Sequence, residues 1–324
     1  MKILLISGFL GAGKTTFIKA MAKATGREFV IVENEFADQD IDGQLLAQDE
    51  AMPKMDIWEM AEGCICCSLD LDFSLSVLTI ANTLNPDYLL VEPSGVAQPT
   101  SIIEKLDKIS YERISLLAPI TIIDADNYPT HQVEFKNYFD DQLVAAGTLV
   151  LSKSEQLSEE EFAQAKVALD VPEDVSFPTT HYSKWSKEDW LALLNRDFTG
   201  EDIRKVGERF LQRDIIREAD QDLTSLTLDQ AEFQNPDELY HFLEVLLSGR
   251  YGQIIRAKGF VAFGGDVVHV ELVQNQFSIT GLGDMSIDEA SQRLEPSDDK
   301  LTRNKLIVIG KHLDRPRFSR WIKS

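Results

Sequence analysis

The stretch Gly8-Phe9-Leu10-Gly11-Ala12-Gly13-Lys14-Thr15-Thr16 constrains this chain more than any other, because it spells Gly-x-x-x-x-Gly-Lys-Thr between an apolar run and a helical pattern. Ile3-Leu4-Leu5-Ile6-Ser7 has the continuous apolar character of a strand buried on both faces. Thr15 to Thr25 is helix-forming and stops at Gly26. Strand, glycine loop and helix in that order make a phosphate cradle. Gly8, Gly11 and Gly13 let the backbone approach phosphate oxygens. The N–H groups from Ala12 through Lys14, Thr15 and Thr16 point inward, and the helix N-terminus adds favourable partial charge. Lys14 is placed to reach the β- and γ-phosphates, and Thr15 to offer its hydroxyl to Mg²⁺. An ordinary glycine-rich turn with a solvated lysine is the plain alternative, and the flanking strand and helix argue against it.

The rest of the first half alternates apolar runs with helical patterns, as a mostly parallel sheet with crossover helices does. Strands are predicted at Phe29 to Glu33, Tyr88 to Glu92, Ile120 to Asp124 and Thr148 to Ser152, and helices at Ser74 to Leu84, Thr100 to Lys105 and Glu159 to Leu169. Asp197 to Arg217 is polar, charged and helix-prone, and reads as the end of this domain or its linker. A different rhythm begins near Leu223. Leu223 to Leu228, Gln253 to Phe263, Val267 to Val273, Gln276 to Gly281 and Lys305 to Ile309 read as strands. Gly264-Gly265 and Asn275 supply turns, and Pro236 to Leu247 and Arg315 to Ile322 read as helices. The expected fold class is α/β: a P-loop NTPase with a mostly parallel sheet flanked by helices over 1–220, followed by a smaller α+β domain over 221–324. With 324 residues, 44% of them hydrophobic, the chain is long enough for both cores.

Charge and cysteine usage exclude some partners. A net charge of -22 repels polyanions, so nucleic acid is not an expected partner. Residues 1–220 carry 20 basic and 39 acidic side chains, against 12 and 15 in residues 221–324, so the acidic half is the half with the cradle. No apolar run approaches the ~20 residues that cross a bilayer, and the glycine loop begins too early to leave room for a leader. The expectation is a soluble cytoplasmic protein with no membrane partner.

Three later stretches suit a nucleotide switch. Glu33-Asn34-Glu35-Phe36-Ala37-Asp38 closes the second strand, at the sheet edge where doubly wound folds hold ligands. Carboxylates beside a polyphosphate make sense if they hold a cation or orient water. Val91-Glu92-Pro93-Ser94-Gly95 follows the apolar Tyr88-Leu89-Leu90. Glu92 therefore stands where a Walker-B carboxylate acts on Mg²⁺ or its waters, and Gly95 where backbone can move as a γ-phosphate leaves. In GTPases the stretch after the Thr148 to Ser152 type of strand reads Asn-Lys-x-Asp, with the aspartate on the guanine N1–H and amine and the lysine along the base. Here Ser152-Lys153-Ser154-Glu155 keeps the lysine and a carboxylate one methylene longer, so guanine is favoured over adenine.

Glu62-Gly63-Cys64-Ile65-Cys66-Cys67-Ser68 gathers every thiol of the protein into four consecutive positions. Adjacent cysteines make a strained disulfide, whereas thiolates at this spacing can converge on Zn²⁺, Co²⁺, Ni²⁺ or Cu⁺. Three sulfurs leave a tetrahedral site one ligand short, which suits transfer better than structural storage. Buried inert thiols and redox sensing are the rival readings. A small-molecule P-loop kinase would use the same cradle but gives no reason for three clustered thiols, and a nucleotide-regulated redox or structural metal protein would need a closed site.

Together, residues 8–16, Glu-Asn-Glu-Phe at 33–36, Gly-Cys-Ile-Cys-Cys at 63–67 and Glu-Pro-Ser-Gly at 92–95 resemble the CobW-like metal-trafficking GTPases, relatives of the urease and hydrogenase nickel-insertion GTPases. The resemblance continues through Gln142, Ser152 to Glu155, Arg256 to Phe260 and Ile309 to Asp314, and so covers nearly the whole chain. Ala37 and Gly147 depart from the family's usual glycine and aspartate. The resemblance implies slow GTP hydrolysis and a metallochaperone or insertase role for zinc, cobalt or nickel, zinc foremost. It implies Lys14, Thr15 and Glu92 as the catalytic set and Cys66 as a metal thiolate beside Cys64 and Cys67. Glu33 and Asp38 fall where carboxylates help hold the metal. GTP or GDP with Mg²⁺ are the implied cofactors. A client metalloprotein or cofactor-assembly enzyme is the implied partner, with a homodimer left open. His131, His181, His241, His269 and His312 are scattered, and none is assigned as a ligand.

Overall fold

A computed structural model describes residues 1–34, 55–59, 70–95, 97–110, 113–213, 215, 223–229, 232–263, 266–273, 276–281 and 305–321. They form two compact units, Met1–Arg217 and Glu218–Ser324.

The first unit runs β1 (Lys2–Gly8), α1 (Lys14–Thr25), β2 (Phe29–Asn34), β3 (Met55–Glu59), α2 (Asp70–Thr83), β4 (Tyr88–Pro93) and α3 (Pro99–Ile109). It continues with β5 (Ser115–Leu116), β6 (Ile120–Asp124), α4 (Tyr128–Glu134), α5 (Lys136–Ala145), β7 (Thr148–Ser152), α6 (Glu159–Ala168), α7 (Lys187–Leu193) and α8 (Gly200–Gln212). The strands pair in parallel in the order β3-β2-β4-β1-β6-β7, with β5 also on β1. The chain winds outward on both sides of β1, which places the loop after β1 at the crevice where the strand order reverses.

Side chains alternate across a strand, and β1 shows why its run is apolar throughout. Ile3 and Leu5 join one core with Val32, Val91, Phe73 and Val77 of α2 and Ile102 and Leu106 of α3. Leu4 and Ile6 join the opposite core with Phe17, Ile18 and Met21 of α1 and Trp190 after them. Val206 of α8 enters the first of these cores, so the helix-prone stretch near 200 is packed, not a tether. Gly147 precedes β7, where a Cβ would stand 2.8 Å from the Ala118 Cβ, so a larger side chain would push the two segments apart.

Sequence patterning did not reveal β3, β5, α4, α5 or α7. In α5 every residue from Tyr138 to Ala145 is buried, Asp140, Asp141 and Gln142 included, so no apolar stripe of helical period exists to be read.

The second unit holds β8 (Leu223–Asp229), β9 (Glu232–Phe233), α9 (Pro236–Leu247), β10 (Gln253–Phe263), β11 (Asp266–Val273), β12 (Gln276–Gly281), β13 (Lys305–Lys311) and α10 (Arg315–Phe318). Its sheet order is β12-β11-β10-β13-β8, antiparallel, with β9 parallel to β10. Leu239, Phe242, Leu243 and Leu246 of α9 pack with Ala257, Val261, Val270 and Val308 of the strands. The final helical stretch is a short α-turn and then a 3-10 turn, Ser319–Trp321, with Phe318 and Trp321 in that core. The expected turns at Gly264-Gly265 and Asn275 lie outside the described residues. Among the described residues no helix is long and apolar enough to cross a membrane.

Candidate nucleotide site

Between β1 and α1 the loop takes conformations that only glycine adopts cheaply. Gly8, Gly11 and Gly13 have φ of 148°, 73° and 87°. A Cβ on Gly8 would overlap the Ile122 carbonyl of the neighbouring strand, so the loop begins against β6. Gly13 is the N-cap of α1 and supplies no side-chain cap, and no acidic residue occupies the first turn. The uncapped N–H groups at a helix start are an anion site by geometry and dipole. Lys14 folds back over the loop, its Nζ donating to the Gly8 carbonyl at 3.2 Å and standing 4.0 Å from Glu92 Oε1. Thr15 Oγ1 lies 3.5 Å from the same carboxylate oxygen, and Thr16 is exposed at the helix start. The structure therefore brings Lys14, Thr15 and Glu92 together, an ammonium and two hard oxygen groups. The oxygen pair suits Mg²⁺, which prefers such ligands beside phosphate.

Gly95 closes the opposite side. A Cβ there would lie 2.5 Å from the Leu10 backbone nitrogen and 2.8 Å from its side chain. This close approach leaves room for a backbone and nothing more. The Gly95 carbonyl accepts from Gln142 Nε2 at 3.0 Å. One residue earlier on α5, Asp141 receives the Thr100 backbone N–H at 3.1 Å and the Thr100 hydroxyl at 2.6 Å. Asp141 thus caps α3 from another helix, since the N-cap Gln98 offers no side-chain cap. Neighbouring side chains of α5 grip both ends of the 95–100 segment. Asp141 and Thr100 escaped the sequence reading because nothing local announces a contact across 41 residues. Gln142 is visible in the sequence only through its resemblance to the family pattern.

The loop after β7 leans on the cradle. Ser152 Oγ donates to the Ala12 carbonyl at 2.6 Å, with the Ile123 carbonyl at 3.2 Å, and Ser152 Cβ sits 3.8 Å from where a Gly13 Cβ would be. Serine in place of asparagine therefore still braces this loop against the glycine loop. Lys153 adopts φ 53°, and its Nζ pairs with Asp124 Oδ2 at 2.7 Å. Burial alone would raise the Asp124 carboxyl. Hydrogen bonds from Asn127 and Lys153 outweigh it and hold the group below the usual carboxylate range. Behind the cradle, the Phe9 ring lies 4.3 Å from that of His131, whose burial pushes its pKa down to about 4 against the opposing pull of Asp124. Glu155 is half exposed, with Oε1 3.4 Å from His181 Nε2.

Cys64, Cys66, Cys67 and Asp38 lie outside the described residues. Glu33 is described by its backbone at the end of β2, in register with Glu92 of β4 and Glu59 of β3. Among the described residues no group of three His, Cys, Asp or Glu gathers to hold a metal ion.

The family model described as CobW/HypB/UreG, nucleotide-binding domain, matches residues 2–175, and that of the cobalamin synthesis protein cobW C-terminal domain matches residues 223–323. Zinc chaperone YeiR of Escherichia coli (strain K12) is 36% identical over 159 residues, 48% of this chain and 47% of that protein. The chain thus spans about half the length of YeiR. Zinc chaperone YjiA of the same organism is 25% identical over 277 residues, 82% of each protein. The crystal structure of Zn(II)-bound YjiA GTPase from E. coli overlays with a TM-score of 0.37 at 18% identity, covering 100% of this chain and 99% of that one. The first of the two family matches takes in more than half of the chain, glycine loop, Glu92 and Ser152 to Glu155 included: the chain belongs to the CobW/HypB/UreG nucleotide-binding family and carries a CobW C-terminal domain.

Proposed function

We propose that this chain is a slow GTPase that works as a cytoplasmic metallochaperone or insertase, its GTP- or GDP-bound state deciding when a transition-metal ion is passed on. The observation that carries the reading is the convergence of Lys14, Thr15 and Glu92 at the mouth of a glycine loop whose other wall is Gly95. Gly8, Gly11, Ala12, Gly13 and Thr16 complete the cradle through their backbone. Lys14 would leave the Gly8 carbonyl to meet the β- and γ-phosphates, and Thr15 and Glu92 would hold Mg²⁺ and its waters. When bound, Mg²⁺ neutralises charge on the phosphates. Ser152, Lys153 and Glu155 flank the base.

The cargo is held by Cys64, Cys66 and Cys67, with Glu33 and Asp38 as the carboxylates that the family resemblance assigns to help hold it. Zinc is the first choice, supported by the names of the related chaperones, with cobalt and nickel as alternatives. A client metalloprotein or cofactor-assembly enzyme receives it. Nucleotide domain and C-terminal domain divide at about residue 220. The test is hydrolysis of GTP against ATP by the chain and by Lys14→Ala. GTP turnover that falls at least about 100-fold in the variant, with thermal unfolding unchanged, supports the reading. ATP turned over as fast as GTP, or GTP turnover unaffected by Lys14→Ala, contradicts it.

A further inference from the structure

Glu155 raises a geometric problem that the structure answers. The three residues before it are pinned: Ser152 to Ala12, Lys153 to Asp124, and Ser154 Oγ to the Leu151 carbonyl at 2.8 Å. The Glu155 side chain is 55% exposed and has one more rotatable bond than an aspartate, so ordering it on a base costs more entropy. Facing it is His181, only 3% exposed, from the segment between β7 and α7.

The two ring nitrogens of His181 have separate partners. Nδ1 accepts the Ser183 backbone N–H at 3.2 Å, capping the short 3-10 helix Tyr182–Lys184, and lies 2.8 Å from the Ser183 hydroxyl. A neutral imidazole that accepts at Nδ1 carries its proton on Nε2. Burial holds the ring below the ordinary imidazole range, against the pull of Glu155, which keeps it neutral near pH 7. Its Nε2–H is buried without an aligned hydrogen-bond partner, and Glu155 Oε1 stands 3.4 Å away. A buried donor 3.4 Å from a half-exposed carboxylate can hold it once the two groups align.

We propose that His181 is the residue that sets base specificity through Glu155, an inference that rests on the guanine-nucleotide reading above. Its Nε2–H donates to Oε1 and fixes the plane of the carboxylate, so that both oxygens meet the N1–H and exocyclic amine of guanine. A donor on the far wall of the loop thereby compensates for the extra methylene of Glu155. His181 acts on the base through Glu155, so its signature is discrimination between bases and leaves phosphate affinity alone.

The test is competition binding of GDP, inosine diphosphate, which lacks the 2-amino group, and ADP to the full chain and two variants that split the ring's tasks. His181→Asn keeps a short acceptor for the Ser183 N–H and removes the far donor. His181→Gln places an amide N–H near the Nε2 position. The expected result is that His181→Asn weakens GDP about 10-fold, inosine diphosphate, which keeps the N1–H, about 3-fold and ADP not at all, while His181→Gln keeps the GDP-over-inosine ratio within about 1.5-fold of the parent. An unchanged ratio in His181→Asn, or equal weakening of both nucleotides, overturns the role of His181 and leaves guanine binding standing. ADP bound as tightly as GDP by the parent chain overturns the guanine reading itself, and the inference with it.

Discussion

Gly95 and His131 press on the glycine loop from different sides, and each yields a measurable consequence. Because a Cβ on Gly95 would meet the Leu10 backbone at 2.5 Å, Gly95→Ala must push the two loops apart. We expect a loss of about 1–3 kcal/mol in unfolding free energy and a fall in GTP turnover, checked by urea titration and a phosphate-release assay. Full stability with full turnover would show the contact to be unimportant. His131 is neutral in the fold, its pKa pushed from 6.5 to about 4 by burial. The unfolded chain therefore takes up the proton first, so stability declines as pH falls from about 6.5 and levels off near 4. The His131 contribution across that window is on the order of 3 kcal/mol, and His131→Leu should flatten that part of the curve. The glycine loop was legible in the sequence because its conformations demand glycine at fixed spacing. His131 and His181 were not, because their roles depend on which rings and carboxylates the fold brings beside them.

At the scale of elements, α5 ties the nucleotide loops to the sheet. Its consecutive Asp141 and Gln142 hold the Thr100 and Gly95 ends of one segment, and the Gln142 carbonyl accepts from Thr121 Oγ1 at 3.0 Å. Thr100→Val removes the hydroxyl from the buried Asp141 carboxylate while keeping the shape of the side chain. We expect it to cost about 1–3 kcal/mol by urea unfolding, since a buried acceptor loses a donor. No change in the unfolding midpoint would mean that Asp141 is satisfied elsewhere. Strands β1, β2, β4, β6 and β7 were readable from apolar runs, since both faces of a parallel sheet are covered. The α5 helix was hidden by the same burial, which erases the helical period and hides its functional polar residues among apolar ones.

Across the whole molecule, a parallel-sheet unit carrying the cradle is followed by an antiparallel unit with its own core. The family and both architectures could be read from motif order and strand rhythm. What the sequence left open was how Ser152-Lys153-Ser154-Glu155 departs from the usual guanine loop and still braces the cradle, which required the contacts to Ala12, Asp124 and His181. The central claim, that nucleotide state gates metal hand-off, belongs to this scale, because coupling between two ligands is a property of the whole chain and must be reciprocal. The direct measurement is Zn²⁺ affinity of the full chain loaded with GDP or with a non-hydrolysable GTP analogue, alongside the affinity of each nucleotide with and without Zn²⁺. We expect Zn²⁺ affinity to differ at least about 5-fold between the two nucleotide states, with Zn²⁺ shifting the GTP-analogue-to-GDP preference by the same factor. Equal Zn²⁺ affinity in both states would contradict the claim.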